Sequence, residues 1–246
     1  MTTRAAFLDR VRREVSRASG GVEVRPAPRP PSPSDAALAV RRQLAERWPE
    51  ALERFVEEFE RVAGVFHRAR SADEVPDIVL GIAREKGARE AVAWAPASLG
   101  VDLRPALAAA GLPVHVARDV GDTSRREHRD EAARAELGVT GADFVLAETG
   151  TLVLLSGAGR PRSTSLLPAT HVAVFDRSRL LESLEQMGIV LEALHVDPER
   201  AMSGAMINFI TGPSRTADIE LTLTRGVHGP KEVHAVFVEE PLPPTP

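Results

Sequence analysis

The sequence contains no cysteine, and this absence excludes several kinds of chemistry. Without thiols the chain cannot form a disulfide framework, a thiolate zinc site, an iron–sulfur cluster of its own or a cysteine nucleophile. If iron–sulfur chemistry accompanies this protein, another subunit must supply the cluster. The sequence also lacks HExxH, GxSxG and clustered His/Asp spacings, which argues against a metalloprotease and a serine hydrolase. We assign no cofactor and no metal ligand to this chain, and the sequence leaves open whether a metal binds.

Lysine is almost absent, although arginine is abundant. The two lysines are Lys86 and Lys231, and neither lies in a GxxxxGK[ST] motif. This argues against a P-loop nucleotidase, because that loop uses its lysine to bind phosphates. The high arginine content also means that a single surface arginine is weak evidence for a site.

Long apolar runs are absent as well. No run reaches transmembrane length, and the amino terminus, MTTRAAFLDRVRREVSR, lacks the apolar core of a secretory signal and contains Asp9 and Glu14. A net charge of −4 and a pI of about 6.0 give no electrostatic reason to expect binding to nucleic acid or to an anionic membrane. We therefore expect a cytoplasmic protein with no nucleic-acid partner and no membrane insertion.

The order of apolar runs predicts an α/β fold. Between residues 34 and 240, strand-like and helix-like runs alternate, which is typical of a mainly parallel sheet with helices on both faces. Residues 1–33 are predicted to form an N-terminal helix and a proline-rich linker, and residues 241–246 a tail. Ser34 precedes a predicted helix, and Pro49 is predicted to lie in the first turn of a second helix.

Two polar, glycine-containing loops each follow a strand-like run, and we expect the functional site there. The loops are Glu148–Pro168 and Thr211–Pro230. In an open α/β sheet, loops at the carboxyl ends of strands bind ligands. Thr149 and Gly150 alone separate two strands, which predicts a hairpin. Residues 216–225 combine strand-like alternation with helix caps at both ends, and we expect a helix there.

Three motifs in these loops resemble the LUD-domain family. They are AETGTLVL at Ala147–Leu154, TGPSRTADIE at Thr211–Glu220 and GVHGP at Gly226–Pro230. The resemblance covers roughly Phe55–Glu240. It implies a three-layer α/β fold similar to that of phosphosugar isomerases, CoA transferases and 5-formyltetrahydrofolate cyclo-ligase. It also implies a role in oxidising L-lactate to pyruvate alongside two iron–sulfur proteins.

The candidate catalytic residues are Glu148 and His228. Glu148 ends a strand, where its carboxylate could act as a general base or nucleophile, like the glutamates of similar CoA transferases, or could fix the hairpin turn. Both interpretations stay open. His228 lies in a glycine-containing turn and could act as an acid, a base or a ligand near neutral pH.

The candidate ligand-binding residues are arginines, hydroxyl-bearing residues, glycines and acids of the same two loops. Arg160 could bind a carboxylate or a phosphate in bidentate fashion. The segment Gly212–Thr216 could form an anion site at a helix N-terminus, or its hydroxyls could simply be helix caps. The full set is Thr149, Gly150, Thr151, Arg160, Ser165, Gly212, Pro213, Ser214, Arg215, Thr216, Asp218 and Glu220.

These features predict an accessory or small-ligand-binding subunit of an iron–sulfur L-lactate oxidation system. Its partners would be the two iron–sulfur proteins, and its ligand would be a small carboxylate or a phosphorylated molecule. Two alternatives stay open: a stand-alone acyl or CoA transferase with Glu148 as nucleophile, and a phosphosugar-binding regulator. The sequence also leaves open whether the chain turns over a substrate by itself.

Overall fold

The chain divides into two compact units, residues 1–32 and residues 33–246. The computed structural model describes residues 4–18, 32–118, 122–196, 206–217 and 223–243. In the first unit, helix α1 (Arg4–Ala18) agrees with the predicted N-terminal helix. None of the described helices is long and apolar enough to cross a membrane.

The second unit contains strands and helices in alternation. Its strands are β1 (Val65–Ala69), β2 (Ala91–Ala93), β3 (Val114–Val116), β4 (Leu137–Gly141), β5 (Phe144–Leu146), β6 (Thr151–Leu155), β7 (Thr170–Asp176), β8 (Leu180–Leu181), β9 (Ile207–Ile210), β10 (Arg215–Ala217), β11 (Leu223–Arg225) and β12 (Glu232–Val238). Its helices are α2 (Pro33–Arg61), α3 (Val75–Lys86), α4 (Pro96–Leu99), α5 (Arg104–Ala109), α6 (Asp122–Arg134), α7 (Ser163–Leu166) and α8 (Leu184–Val196).

A six-stranded sheet, here called the main sheet, has the order β1-β12-β7-β4-β2-β3. All its strand pairs are parallel, which confirms the predicted mainly parallel sheet. The central strand β7 is buried along its whole length, as expected for a strand covered on both faces. From β2 the chain moves outward to β3, whereas from β4 it moves the opposite way to β7. The carboxyl ends of β2 and β4 therefore flank the topological switch point.

A second, four-stranded sheet, here called the small sheet, has the order β8-β5-β6-β9. The pair β5–β6 is antiparallel, which confirms the predicted hairpin. Together with α2 and α8, the small sheet packs on one face of the main sheet, against Phe175 and Phe237. On the other face, α3 and α5 pack against Val174 and Val236. The main sheet is thus the middle of three layers.

Helix α2 continues through Pro49, so the prediction of two separate helices is wrong. The buried residues Val40 and Leu44 precede the proline, and Phe55 and Phe59 follow it on the same helix. All four pack into one core. Pro49 itself is exposed. We infer that burial of this continuous apolar face outweighs the cost of about 3 kcal/mol that a proline imposes within a helix.

The predicted helix over residues 216–225 is also wrong. Strands β10 and β11 pair antiparallel there, with Arg215 opposite Arg225 and Thr216 opposite Thr224. Residues 218–222 lie outside the described part of the chain. In LTLTR, residues 221–225, the β-branched threonines Thr222 and Thr224 alternate with leucines, which favours an extended chain. In the described residues 215–217 and 223–225 this preference prevailed over the helix-cap residues.

Two histidines are buried inside the main sheet. His171 is fully buried and shares a hydrogen bond of 2.8 Å between its Nε2 and Thr140 Oγ1. His234 shares a hydrogen bond of 2.9 Å between its Nδ1 and His67 Nε2. Burial lowers the pKa of His171 to about 3 and, with the neighbouring His67, that of His234 to about 4. Both imidazoles are therefore neutral in the folded protein near pH 7.

We expect acid to destabilise the protein through these two histidines. The unfolded chain takes up their protons below about pH 6.5, whereas the folded chain does not until about pH 4, so protonation favours unfolding in this window. The free energy of unfolding should fall by up to about 1.4 kcal/mol per pH unit for each histidine. Urea unfolding at several pH values measures this slope. His171→Gln should reduce it, whereas His228→Gln, at an exposed position, should not. Identical slopes in all three proteins would contradict the assignment.

Candidate functional site

The structure separates the predicted site residues into three locations. Arg160 lies at the carboxyl edge of the main sheet, near the switch point. Ser165 is buried in α7, where its Oγ donates a hydrogen bond of 3.1 Å to the carbonyl of Arg162. The other described residues form one group beside the end of α2. Asp218 and Glu220 lie outside the described residues.

The two predicted loops do meet, but not at the carboxyl edge of the main sheet. They follow β5 and β9, which belong to the small sheet, and not parallel strands of the main sheet. The backbone N–H of Ser214 donates a hydrogen bond of 2.9 Å to the carbonyl of Pro230, directly before β12 begins. The segments around Gly150 and Ser214 therefore lie beside the amino-terminal edge of the main sheet, where they were not expected, whereas Arg160 of the first loop lies at the expected carboxyl edge.

Three threonine hydroxyls join the two loops. Thr151 Oγ1 shares hydrogen bonds of 2.7 Å with Thr149 Oγ1 and with Thr211 Oγ1. Thr151 is buried and at the centre of this chain of hydroxyls. The antiparallel pairing of Leu152 with Ile210 continues the junction into the small sheet. The hydroxyls therefore fix one loop against the other.

Two glycines allow this junction to pack closely against the end of α2. Gly150 has φ 60°, and a Cβ there would lie 2.4 Å from the backbone nitrogen of Phe59. Gly212 has φ 78°, and a Cβ there would lie 2.6 Å from the carbonyl oxygen of Val62. The Arg215 guanidinium donates a hydrogen bond to the same Val62 carbonyl. Both positions require glycine, because a side chain would collide with backbone atoms.

The carboxylate of Glu148 holds the amino end of α8. Its Oε2 accepts a hydrogen bond of 3.0 Å from the backbone N–H of Leu184, the first residue of that helix. A carboxylate at this point satisfies a backbone donor and interacts favourably with the helix dipole. This contact is with α8 and not with the hairpin turn that the structural interpretation of Glu148 named.

The GVHGP loop packs on the GPSR loop. The backbone N–H of Gly226 donates a hydrogen bond of 3.0 Å to the carbonyl of Ser214. A Cβ on Gly229 would lie 3.3 Å from Ser214 Cβ, so the two loops are in close contact. Pro213 is buried between its neighbours, whereas His228 is exposed. His228 and Ser214 thus belong to one surface, with His228 on its outer side.

At the carboxyl edge, Arg160 pairs with a buried aspartate that the sequence analysis missed. Arg160 Nη1 donates to Asp143 Oδ1 at 2.9 Å, and the backbone N–H of Leu155 donates to Asp143 Oδ2 at 2.7 Å. Only 7% of the Asp143 side chain is exposed. Burial raises the pKa of Asp143, while the hydrogen bond from Leu155 and the charges of Arg160 and Arg179 oppose that rise. The sequence feature that could have identified Asp143 is its position just after a buried strand, in the segment GADF.

A small crevice lies at the switch point beside this pair. Trp94, Asp143 and Arg179 are among its lining residues, and its volume is about 10 Å³, enough for one water molecule. Leu242 and Pro243 also line it. The backbone N–H of Leu242 donates a hydrogen bond of 2.6 Å to Asp176 Oδ2. These two residues therefore lie at the place where open α/β sheets bind ligands.

No metal centre is evident in the described part of the chain. Among those residues, no group of three or more histidine, aspartate or glutamate side chains is arranged to hold a metal ion.

Comparison with known proteins assigns the family. A model of the LUD domain matches residues 52–238. The chain belongs to the LUD domain family. This LUD domain protein is 34% identical over 173 residues to Lactate utilization protein C of Macrococcus caseolyticus, a match that covers 69% of this chain and 70% of the relative.

Two further matches are informative. The LUD domain chain is 45% identical over 111 residues to Lactate utilization protein C of Halalkalibacterium halodurans, covering 45% of this chain and 47% of that relative, so the match spans about half of the relative. A solved structure, that of a DUF162 family protein from Deinococcus radiodurans, aligns with TM-score 0.50 and 19% identity over 78% of this chain and 98% of that one. At this identity the structural match shows the fold alone.

Gly150→Ala should test the junction on α2. The substitution combines a positive φ with a collision against the Phe59 backbone, so we expect a loss of at least about 3 kcal/mol in the free energy of unfolding. The matched control is Gly87→Ala, which has φ 62° and no atom within 4 Å of the new Cβ. It should cost only about 1 to 2 kcal/mol. Equal losses in urea unfolding would show that the contact with α2 contributes nothing.

Arg160→Met should test the buried ion pair. It leaves the Asp143 carboxylate buried without its cation, so we expect a loss of about 3 to 5 kcal/mol. Adding Asp143→Asn should restore part of that loss, because the buried charge is then removed. The control Arg162→Met changes an exposed arginine and should stay within about 0.5 kcal/mol. A double variant no more stable than Arg160→Met would contradict the pairing.

Proposed function

We propose that this LUD domain protein takes part in lactate utilization as a small-ligand-binding subunit. Two of the relatives named Lactate utilization protein C support this role, one of them over about 70% of its length. In this proposal the ligand is a small carboxylate of the size of lactate or pyruvate. The redox partners are two iron–sulfur proteins, since a chain without cysteine cannot bind such clusters through thiolates.

The observation that supports the ligand class is the presence of two guanidinium groups at the switch point. Those of Arg160 and Arg179 act on the carboxylate of Asp143, while the buried carboxylate of Asp176 accepts a hydrogen bond from the backbone of Leu242. Arg160 is hydrogen-bonded to the Asp143 carboxylate, whereas Arg179 lines the crevice. A guanidinium binds carboxylates and phosphates well, because its N–H groups match their oxygens. Arg179 is therefore the proposed ligand-binding cation.

Ligand entry in this proposal requires the C-terminal segment to move. A crevice of about 10 Å³ admits a water molecule but not lactate. Leu242 closes it through one backbone hydrogen bond to Asp176 and through contact with Gly100, where a Cβ would lie 3.2 Å from Leu242 Cβ. Displacement of Leu242 would break these contacts and its packing on the core cluster that contains Leu99 and Leu103.

The contacts of Glu148 argue against the transferase alternative. A nucleophilic carboxylate must be free to attack, yet Glu148 accepts a hydrogen bond from the first turn of α8. It also lies beside the end of α2, whereas the two guanidinium groups lie at the other edge of the main sheet. The phosphosugar alternative differs only in the anion, because guanidinium groups bind phosphate as well as carboxylate.

The decisive experiment measures electron transfer from L-lactate to an artificial acceptor with the purified chain, alone and after addition of the two iron–sulfur proteins. We expect turnover only in the mixture. Arg179→Gln should lower kcat/KM of the mixture at least about tenfold, through the loss of a charge-assisted hydrogen bond. Arg84→Gln, at an exposed position on α3, is the matched control and should not change it.

Two other results would support the alternative functions. Acyl or CoA transfer by the purified chain alone, abolished by Glu148→Gln, would establish the transferase alternative. Stabilisation against heat by a sugar phosphate and not by L-lactate or pyruvate would favour the phosphosugar regulator. A ligand present at a hundred times its Kd should stabilise the fold by about 2.7 kcal/mol, which a thermal melt detects.

A further inference from the structure

A second concave region lies beside the edge strand β3, and the proposed function does not use it. This groove has a volume of about 400 Å³. That volume is within the range of small-molecule sites and far exceeds that of the switch-point crevice. The groove is lined by residues of β3 and of the flanking helices, including Arg104, Val114, His115, Val116, Arg118 and Glu131.

Glu131 lines the groove, and its carboxylate faces two histidines. His115 Nδ1 lies 3.5 Å from Glu131 Oε1, and its Nε2 lies 3.2 Å from Glu90 Oε2. His128 Nδ1 lies 3.7 Å from Glu131 Oε2. Glu131 therefore stands between two imidazoles, nearer to His115 than to His128.

His128 has an unused nitrogen in this arrangement. The residue is 5% exposed, and its Nε2 shares a hydrogen bond of 2.9 Å with Thr164 Oγ1. Its Nδ1 is buried and has no hydrogen-bond partner. An unsatisfied buried nitrogen costs free energy, so a second position of Glu131, closer to His128, would be stabilised by the new hydrogen bond.

Arg118 lies on the rim of the groove and is exposed. Among the carboxylates whose positions the structure describes, none lies within ion-pair distance of its guanidinium. Arg104, in contrast, is held by Asp102 through hydrogen bonds of 2.9 and 2.7 Å. The groove is thus lined by the guanidinium of Arg118, the imidazole of His115 and the apolar residues Val114 and Val116.

We propose that this groove binds a small organic anion through a carboxylate or phosphate group that contacts Arg118 and His115. On binding, Glu131 leaves His115 and forms a hydrogen bond with Nδ1 of His128. In the protonated ring, in which both nitrogens carry hydrogen, His115 Nε2 donates to Glu90 and Nδ1 donates to the anion. The apolar residues of β3 contact the carbon skeleton of the ligand. This site is separate from the switch-point crevice and does not depend on the proposed function.

Histidine side-chain NMR tests this proposal, because the chain has seven histidines. The full chain is titrated with pyruvate, with inorganic phosphate and with uncharged pyruvamide. We expect one or both anions, and not pyruvamide, to shift the ring signals of His115 and His128 with saturation. A response to pyruvate alone assigns a carboxylate ligand, and a response to phosphate alone assigns a phosphate ligand. The response should persist in Arg179→Gln, which separates the groove from the crevice.

Two pairs of variants identify the groups involved. Arg118→Gln should weaken binding about tenfold. The control is Arg129→Gln, which removes an exposed arginine of α6 that does not line the groove, and it should leave binding unchanged. Glu131→Gln should strengthen binding, because it removes the negative charge that competes for His115. Glu127→Gln, an exposed glutamate one turn away on the same helix, is its control. If Glu131 only stabilised the local structure, Glu131→Gln would weaken binding instead.

Several results would overturn the proposal. One is the absence of any saturable shift at His115 with both anions. Another is equal weakening of binding by Arg118→Gln and Arg129→Gln, which would indicate a general charge effect. Movement of His115 without movement of His128 would contradict the exchange of partners by Glu131.

Discussion

The buried carboxylate of Asp143 fixes the point at which the chain leaves the main sheet. It follows β4 directly, accepts a hydrogen bond from the backbone at the end of β6 and pairs with Arg160 in the loop beyond β6. These contacts tie together the start and the end of the β5–β6 hairpin. The small sheet therefore turns back across the main sheet from this residue, and the three-layer arrangement depends on it.

This reversal gives the two edges of the molecule different properties. At the end of α2, the loops around Gly150 and Gly212 are packed so closely that side chains are excluded, and three threonine hydroxyls join them. Such a junction is rigid. At the carboxyl edge, Asp143 and Arg179 line a crevice together with Leu242, whose backbone is hydrogen-bonded to Asp176. The two edges thus differ: a close-packed junction that excludes side chains at one, and a crevice lined by charged side chains at the other.

For much of the candidate site, the sequence predicted which residues could take part but not which of them are neighbours in the structure. Glu148 and Ser214 lie in motifs that resemble the family, and Arg160 was predicted from the ability of its guanidinium to bind an anion, yet Arg160 lies at the opposite edge of the main sheet from the other two. The motif residues Gly150 and Gly212 are explained by their contacts with the α2 backbone. Asp143 and Arg179 escaped prediction, because an isolated charge in an arginine-rich sequence gives no sign of its burial or its partners.

The sequence by itself determined the local alternation of strands and helices, the parallel main sheet and the β5–β6 hairpin, since these follow from apolar periodicity and short turns. The motifs also determined the family. Only the tertiary structure decided that α2 continues through Pro49, that residues 215–217 and 223–225 pair as strands, and which charges meet. The physical reason is the same in each case: burial against distant parts of the chain outweighs local preference, and distance along the sequence does not reveal which residues are buried together.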